Sequence, residues 1–308
     1  MLVAIMIGRL AVVLLVTGCL LQSQDWSLSH LFSRPFLWGV SPAELHWSKD
    51  AHVLAFTWNE QGHPFRDLYV YRADEKQLRR LTNLENQRDA INESPAEKDR
   101  HQKNYLLPQA GISDYDISRD GSKVAFSYKG DLYLSSTTAD HRLLRLTRTQ
   151  TSEAHPHLSP DGKTLAYILS GQLYIQDLQT GFRNQITDIK APAQLEDYDW
   201  SPDGKEFVLN VSPSPGRMMP LPNYSGQFVT AAPFPRDVAG DALAIPQILL
   251  IASDGTELTP RPVTGLTGIS PGLPEWSDDS KHLWGITFTR DYKSQQVWII
   301  DRDTATAA

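Results

Sequence analysis

The chain has almost no cysteine. Cys19 is the only one in 308 residues, which excludes a disulfide framework, a thiolate metal cage and a cysteine nucleophile in the body of the protein. Long apolar runs are also missing. The uncharged stretch after Arg9 ends its apolar character at Leu21, short of the ~20 residues a spanning helix needs, and no later segment is long and apolar enough to span. Positive charge is scarce: 29 Lys and Arg against 36 Asp and Glu give a formal net charge of −7. Nucleic acid is therefore not an expected partner, because the phosphate backbone rewards a basic face.

The lone cysteine is placed where it has a chemical use. Arg9 is followed by the apolar Leu10 to Val16 and then by Thr17-Gly18-Cys19, the order of a short translocon-entering helix, small residues for a signal peptidase, and a thiol that accepts a diacylglycerol. Two or three acyl chains, at about 0.8 kcal/mol per buried CH₂, hold a protein to a bilayer without a spanning helix. Residues 1–22 therefore read as a bacterial lipoprotein signal and anchor region, with Cys19 the lipidation site, and 23–308 as the body. Leu20 after the cysteine, rather than aspartate, favours the outer membrane and a periplasm-facing location.

What is present in quantity is turn and strand chemistry: 8 Trp, 11 Tyr and 20 Pro. A motif recurs five times, as Trp47-Ser48-Lys49-Asp50, Ile117-Ser118-Arg119-Asp120-Gly121, Leu158-Ser159-Pro160-Asp161-Gly162, Trp200-Ser201-Pro202-Asp203-Gly204 and Trp276-Ser277-Asp278-Asp279-Ser280, each followed by an apolar strand. The serine spacings are 70, 41, 42 and 76 residues. A period of roughly 40 to 45 is that of a four-stranded propeller blade, so two intervals are clean blades and two carry insertions, near 83–113 and 210–247. In the third repeat, 155–159, 164–169, 172–176 and 183–187 read as its four strands, with Pro160-Asp161-Gly162 a tight turn. The third strand recurs as Asp67-Leu68-Tyr69 and Asp131-Leu132-Tyr133, and the fourth ends in Arg80-Leu81-Thr82 and Arg145-Leu146-Thr147. The expected fold is all-β, a propeller of about five WD40-like blades. The chain's last residues follow a third strand, so the last blade is expected to lack its fourth unless an N-terminal strand closes it, leaving an incomplete ring with an exposed edge.

These Ser-Pro-Asp-Gly blades resemble those of the translocation protein TolB and of the prolyl oligopeptidase clan. Around the fourth repeat, Asp197-Tyr198-Asp199-Trp200-Ser201-Pro202-Asp203, a proline-rich stretch, Pro233 to Asp241 and the strand Ile248 to Ile251 are similar to bacterial dipeptidyl peptidase IV relatives. The resemblance implies the N-terminal propeller of a serine dipeptidyl peptidase, whose Ser, Asp and His lie in a following α/β-hydrolase domain. It also implies an adjacent glutamate pair that binds the substrate's amine. No Glu-Glu occurs in this chain, and Glu196-Asp197 sits close against the blade instead.

No catalytic residue is expected. Gly268-Ile269-Ser270-Pro271-Gly272 matches the nucleophile-elbow pattern, but Pro271 removes the backbone N–H that an oxyanion hole requires, and a blade rather than a helix follows. His155 and His157 put two imidazoles on one face of a strand, short of the three or four ligands a metal needs. No cofactor is implied. The reading is a non-catalytic propeller that gates or binds peptides, with a peptide or protein ligand and an α/β-hydrolase domain as its partners. The alternatives are a TolB-like envelope scaffold and a shortened gene model of an active peptidase.

Overall fold

The computed structural model describes residues 27–31, 39–63, 65–84, 111–112, 114–138, 142–213, 218–224, 229–235, 245–269 and 272–308. Cys19, most of the first insertion and Ser270 lie outside them. The chain divides into two compact units. One comprises Met1–Val40 with Glu60–His63, in which a single helical turn, Leu28–Leu31, is described. The other, Ser41–Asn59 with Pro64–Ala308, carries every described strand.

That second unit holds five four-stranded antiparallel sheets, one per motif. Blade 1 is β1 (Ala43–Trp47), β2 (Val53–Trp58), β3 (Asp67–Arg72) and β4 (Gln77–Arg80). Blade 2 is β5 (Asp114–Ile117), β6 (Lys123–Tyr128), β7 (Asp131–Ser136) and β8 (Leu144–Arg145). Blade 3 is β9 (Glu153–Leu158), β10 (Thr164–Leu169), β11 (Gln172–Asp177) and β12 (Arg183–Gln185). Blade 4 is β13 (Gln194–Trp200), β14 (Glu206–Ser212), β17 (Gln247–Ala252) and β18 (Arg261–Pro262), with the hairpin β15 (Met218–Asn223) and β16 (Thr230–Pro235) inserted between its second and third strands. Blade 5 is β19 (Glu275–Trp276), β20 (His282–Phe288), β21 (Gln295–Asp301) and β22 (Thr306–Ala307). The fold is a β-propeller.

The motif serine and aspartate build the first turn of each blade. In all five, Ser Oγ donates to the Asp Oδ1 two residues on, at 2.5 to 2.7 Å. The same Oγ accepts the backbone N–H that starts the second strand. The residue after the aspartate has φ between 57° and 72°. Glycine takes that conformation freely at 121, 162 and 204, whereas Ala51 and Ser280 adopt it at the cost of Cβ crowding.

A second clamp explains the spacing of the third and fourth strands. Asp67, fully buried, holds Arg80 at 2.6 Å and accepts from Thr82 at 2.7 Å and from the Leu84 N–H at 3.0 Å. Thr82 Oγ1 in turn accepts the N–H of Leu68. Blade 2 varies the arrangement: Asp131 holds Arg145 and accepts the Thr149 N–H, while Thr147 Oγ1 accepts the Leu132 N–H and donates to Glu153; blade 3 repeats it with Gln172 and Thr187.

Consecutive blades pack face to face. Val53, Ala55, Leu68 and Val70 of blade 1 share a core with Ile117, Val124, Phe126 and Tyr133 of blade 2. Ala125 and Leu132 share one with Leu165 and Tyr167 of blade 3, and Ala166 and Leu173 with Phe207, Leu209 and Leu249 of blade 4. Val208, Ile248 and Leu250 complete the series against Leu283 and Ile300 of blade 5.

The structure corrects one expectation. Blade 5 does have a fourth strand from its own chain, because Thr306 and Ala307 pair with Asp301 and Ile300 after a turn capped by Asp301 on Thr304. What stands open is a sheet face, with Trp284, Val297 and Ile299 exposed. In the inserted hairpin, prolines 220, 222, 233 and 235 all fall in one class of cross-strand pair. Proline donates no hydrogen bond, so the ladder bonds fall to the pairs between them and the outer edges lack donors at those four positions. This is a hairpin that resists edge-on strand addition.

Removing Asp67 takes the buried acceptor from Thr82 Oγ1 and the Leu84 N–H and the counter-charge from Arg80, which keeps its bonds to the Thr82 carbonyl and Asn83. Asp67→Ala is expected to lower unfolding stability by about 3 kcal/mol, measured by urea denaturation. Lys49→Ala, which breaks the exposed pair with Asp278, is expected to leave the midpoint nearly unchanged.

Candidate functional site

The first strand of each blade ends at the motif serine, and the residue two positions before that serine is titratable in every blade: His46, Asp116, His157, Asp199 and Glu275. Alternation along a strand explains the set, since this position faces away from the motif's own apolar residue at 47, 117, 158, 200 or 276. The first strands converge on a cavity of about 510 Å³ that draws lining from all five blades. Asp116, His157, Asp199 and Glu275 stand in its wall with Asp197, Tyr198, Trp200 and Trp276, and Lys49, Arg119 and Asp278 at its basic and acidic border.

Hydrogen bonds between neighbouring blades fix the wall. Asp116 accepts the Leu158 N–H at 2.7 Å, and Asp114 accepts that of His155 at 2.7 Å. Tyr198 donates its hydroxyl to the His155 carbonyl at 2.6 Å, and Trp200 Nε1 donates to the His157 carbonyl at 3.2 Å. Blade 2 meets blade 1 in the same way, with Tyr115 Oη donating to the Ala55 carbonyl at 2.9 Å. The His157 ring lies 5.1 Å from that of Tyr198 and its Nδ1 is 3.9 Å from Asp199. At the border, Lys49 Nζ pairs with Asp278 at 2.5 Å and Arg119 donates to the Pro202 carbonyl at 3.1 Å.

Burial pushes the Asp116 and Asp199 carboxyls above their ordinary range, and the nearby His157 offsets part of the rise. It also holds the Tyr198 hydroxyl well above its usual value, reinforced by Asp116, Asp114, Asp199 and Asp197 around it. The cavity is thus an acceptor-rich wall between aromatic side chains, suited to N–H donors and cationic groups. Among the described residues that line it there is no serine, threonine or cysteine. Among the described residues no group of three or more His, Cys, Asp or Glu side chains is arranged for a metal ion.

The expected site residues separate. His155 and His157 do not act from one face: His155 has φ 52°, the register of β9 on β10 shifts beside it, and its Nδ1 lies 3.8 Å from Asp114 of blade 2, whereas His157 approaches Asp199 of blade 4. Glu196 lies at a bulge in β13, next to Asp197. Glu196 borders a second cavity of about 520 Å³ with Gln172, Gln194 and Met218, and Asp197 borders the first. Of the segment before Ser270, Ile269 pairs with Phe288 through two backbone bonds, so it runs as an addition to β20. The titratable tier was missed from sequence. Aligning the repeats on their serines and reading two residues back would have found it.

A carboxyl whose folded pKa is raised adds stability below the ordinary carboxylate pKa and loses it as the pH climbs through the raised value. Asp199→Asn is therefore expected to make the chain more stable than the wild type at pH 7, with the gap closing toward pH 4. A less stable variant at pH 7 in urea titration would mean that the His157 contact outweighs burial.

Comparison with known proteins agrees with this architecture. No family model matches the chain. It is 29% identical over 121 residues to dipeptidyl-peptidase 5 of Porphyromonas gingivalis and 28% identical over 116 residues to the uncharacterised peptidase YuxL of Bacillus subtilis. These matches take in 32% and 33% of this chain but only 18% and 17% of the relatives. In solved structures, dipeptidyl peptidase 4 of Porphyromonas gingivalis superposes with a TM-score of 0.58 at 13% identity, covering 87% of this chain and 42% of that one. TolB of Acinetobacter baumannii gives 0.50 at 15% identity over 86% of this chain and 53% of that one. In sequence and in fold, the chain is similar to the propeller portion of dipeptidyl-peptidase-4-like peptidases.

Proposed function

We propose that the chain is the non-catalytic, peptide-binding propeller portion of an exported dipeptidyl-peptidase-4-like serine peptidase, held in the bacterial envelope through Cys19. The observation that carries the reading is the five-blade cavity, where Asp116, Asp199 and Glu275 offer acceptors between Trp200 and Trp276. Such a wall suits the amine and amide N–H groups of a peptide, because charge-assisted hydrogen bonds in a partly desolvated site outweigh neutral ones. Chemistry on the bound peptide would fall to an α/β-hydrolase domain as partner. The likeness to TolB supports a second reading, an envelope scaffold that recruits proteins, against which the proline-edged hairpin β15–β16 weighs.

The test is a titration of tryptophan emission with Xaa-Pro and Xaa-Ala dipeptides, beside a turnover assay on their chromogenic forms and a fluorophosphonate probe. Saturable binding is expected, weakened about tenfold by Glu275→Gln, with no turnover and no labelling. Labelled serine with turnover would overturn the non-catalytic reading, and a flat titration would sink the peptide site. For the anchor, Cys19→Ser is expected to abolish incorporation of labelled palmitate and to release the chain from membranes. Membrane retention without the cysteine would exclude acylation as the anchor.

A further inference from the structure

The cavity carries opposite charge at two depths. The residue directly after the motif serine lines it in all five blades, as Lys49, Arg119, Pro160, Pro202 and Asp278. The residue two before the serine lines it as Asp116, His157, Asp199 and Glu275, and Asp197 stands two positions further back. Among the described residues, both the lysine and the arginine of the wall therefore belong to the tier of the turns. All its carboxylates except Asp278 lie in the tiers behind it.

The basic tier already holds a carboxylate. Lys49 and Arg119 stand side by side on neighbouring blades, joined by the Lys49 N–H to the Arg119 carbonyl at 3.0 Å. Lys49 Nζ grips Asp278 at 2.5 Å, with the two side chains 59% and 87% exposed, and Arg119 reaches past blade 3 to the Pro202 carbonyl of blade 4 at 3.1 Å. An ion pair so exposed contributes little to stability, so an incoming carboxylate can take the place of Asp278, with the guanidinium beside it to match its planar fork. The acidic tier suits the opposite group. Asp197 and Asp199 accept the N–H of Tyr198 and Trp200 through one oxygen each, and a carboxylate can accept about four donors in all, which leaves capacity for the three N–H groups of an ammonium.

The separation of the tiers sets a length. The basic residues follow the main acidic tier by three positions, roughly 10 Å at the rise of a strand, and an extended peptide covers about 3.3 to 3.6 Å per residue. We propose that the cavity takes short free peptides of about three residues as zwitterions, with the α-carboxylate on Lys49 and Arg119 and the α-amine on Asp116, Asp199 and Glu275. This rests on the peptide-binding reading and adds to it a length and a requirement for both free termini. The volume of about 510 Å³ lies in the range of sites that enclose a small ligand.

Titration of the full chain in detergent with trialanine, trialanine amide and N-acetyl-trialanine, read by calorimetry and by tryptophan emission, tests the assignment. The free peptide is expected to bind about tenfold more tightly than either capped form, and more tightly than dialanine or pentaalanine. In a variant carrying Lys49→Ala and Arg119→Ala the gap between acid and amide is expected to close. Asp278→Asn is expected to tighten the free peptide about threefold by removing the competitor for Lys49, a gain that a merely structural role for Asp278 would not give, and it keeps the test open if the double variant fails to fold. Equal affinity for the free and capped peptides, or a gap that persists without both cations, would overturn the zwitterion assignment and leave peptide binding in place. Absence of binding by every one of these peptides would overturn both.

Discussion

Because alanine at 55, 125 and 166 occupies so little of the sheet surface, the side chain of the next blade can sink into it, and two sheets lie face to face at the ~10 Å spacing of a dry core. That approach is the constraint on which the rest depends. It brings the first strand of each blade beside the first strand of the last, close enough for a carboxylate of blade 2 to accept a backbone N–H of blade 3 and for a tyrosine of blade 4 to reach a carbonyl of blade 3. With the sheets farther apart, those bonds and the cavity they frame would not exist.

The strands farther from the cavity are held by different means. Their ends would leave backbone N–H groups buried without partners, and the Asp–Arg–Thr clamp supplies those partners. Asp67 accepts from Thr82, Arg80 and the Leu84 N–H, while Thr82 accepts from Leu68. A side-chain network thus takes over where the fourth strand is short, and the four-residue β4 and two-residue β8 suffice to complete their blades.

Legibility in the sequence follows the range of the interactions. The Ser–Asp turn is made by residues two and five apart, so its pattern announces five blades directly. The clamp spans about fifteen residues and shows as the recurring Asp-Leu-Tyr and Leu-Thr pairs. The short β22 escaped notice because Thr306-Ala307 carries no strand signal of its own and is placed by the turn on Asp301. The parting of His155 from His157 depends on a backbone irregularity, and β13 carries a bulge at Glu196. Neither leaves a composition signature, because a bulge is settled by what the strand packs against.

The first strands also show where local consistency gives way. A core strand would be expected to carry apolar residues on its buried faces, yet one face of β5, β9 and β13 carries Asp116, His157 and Asp199, and burial raises both carboxyls. The clamps at Asp67 and Asp131 are paired with arginine, so their buried charge is compensated. Asp199 has only an imidazole 3.9 Å away and its own neighbour's N–H. Unlike Asp116, which accepts the Leu158 N–H of the next blade, a buried carboxyl with so few partners is the kind of group that a binding site retains for its ligand. By that reasoning the proposed binding is assigned to the cavity wall, and not to the turn or the clamp.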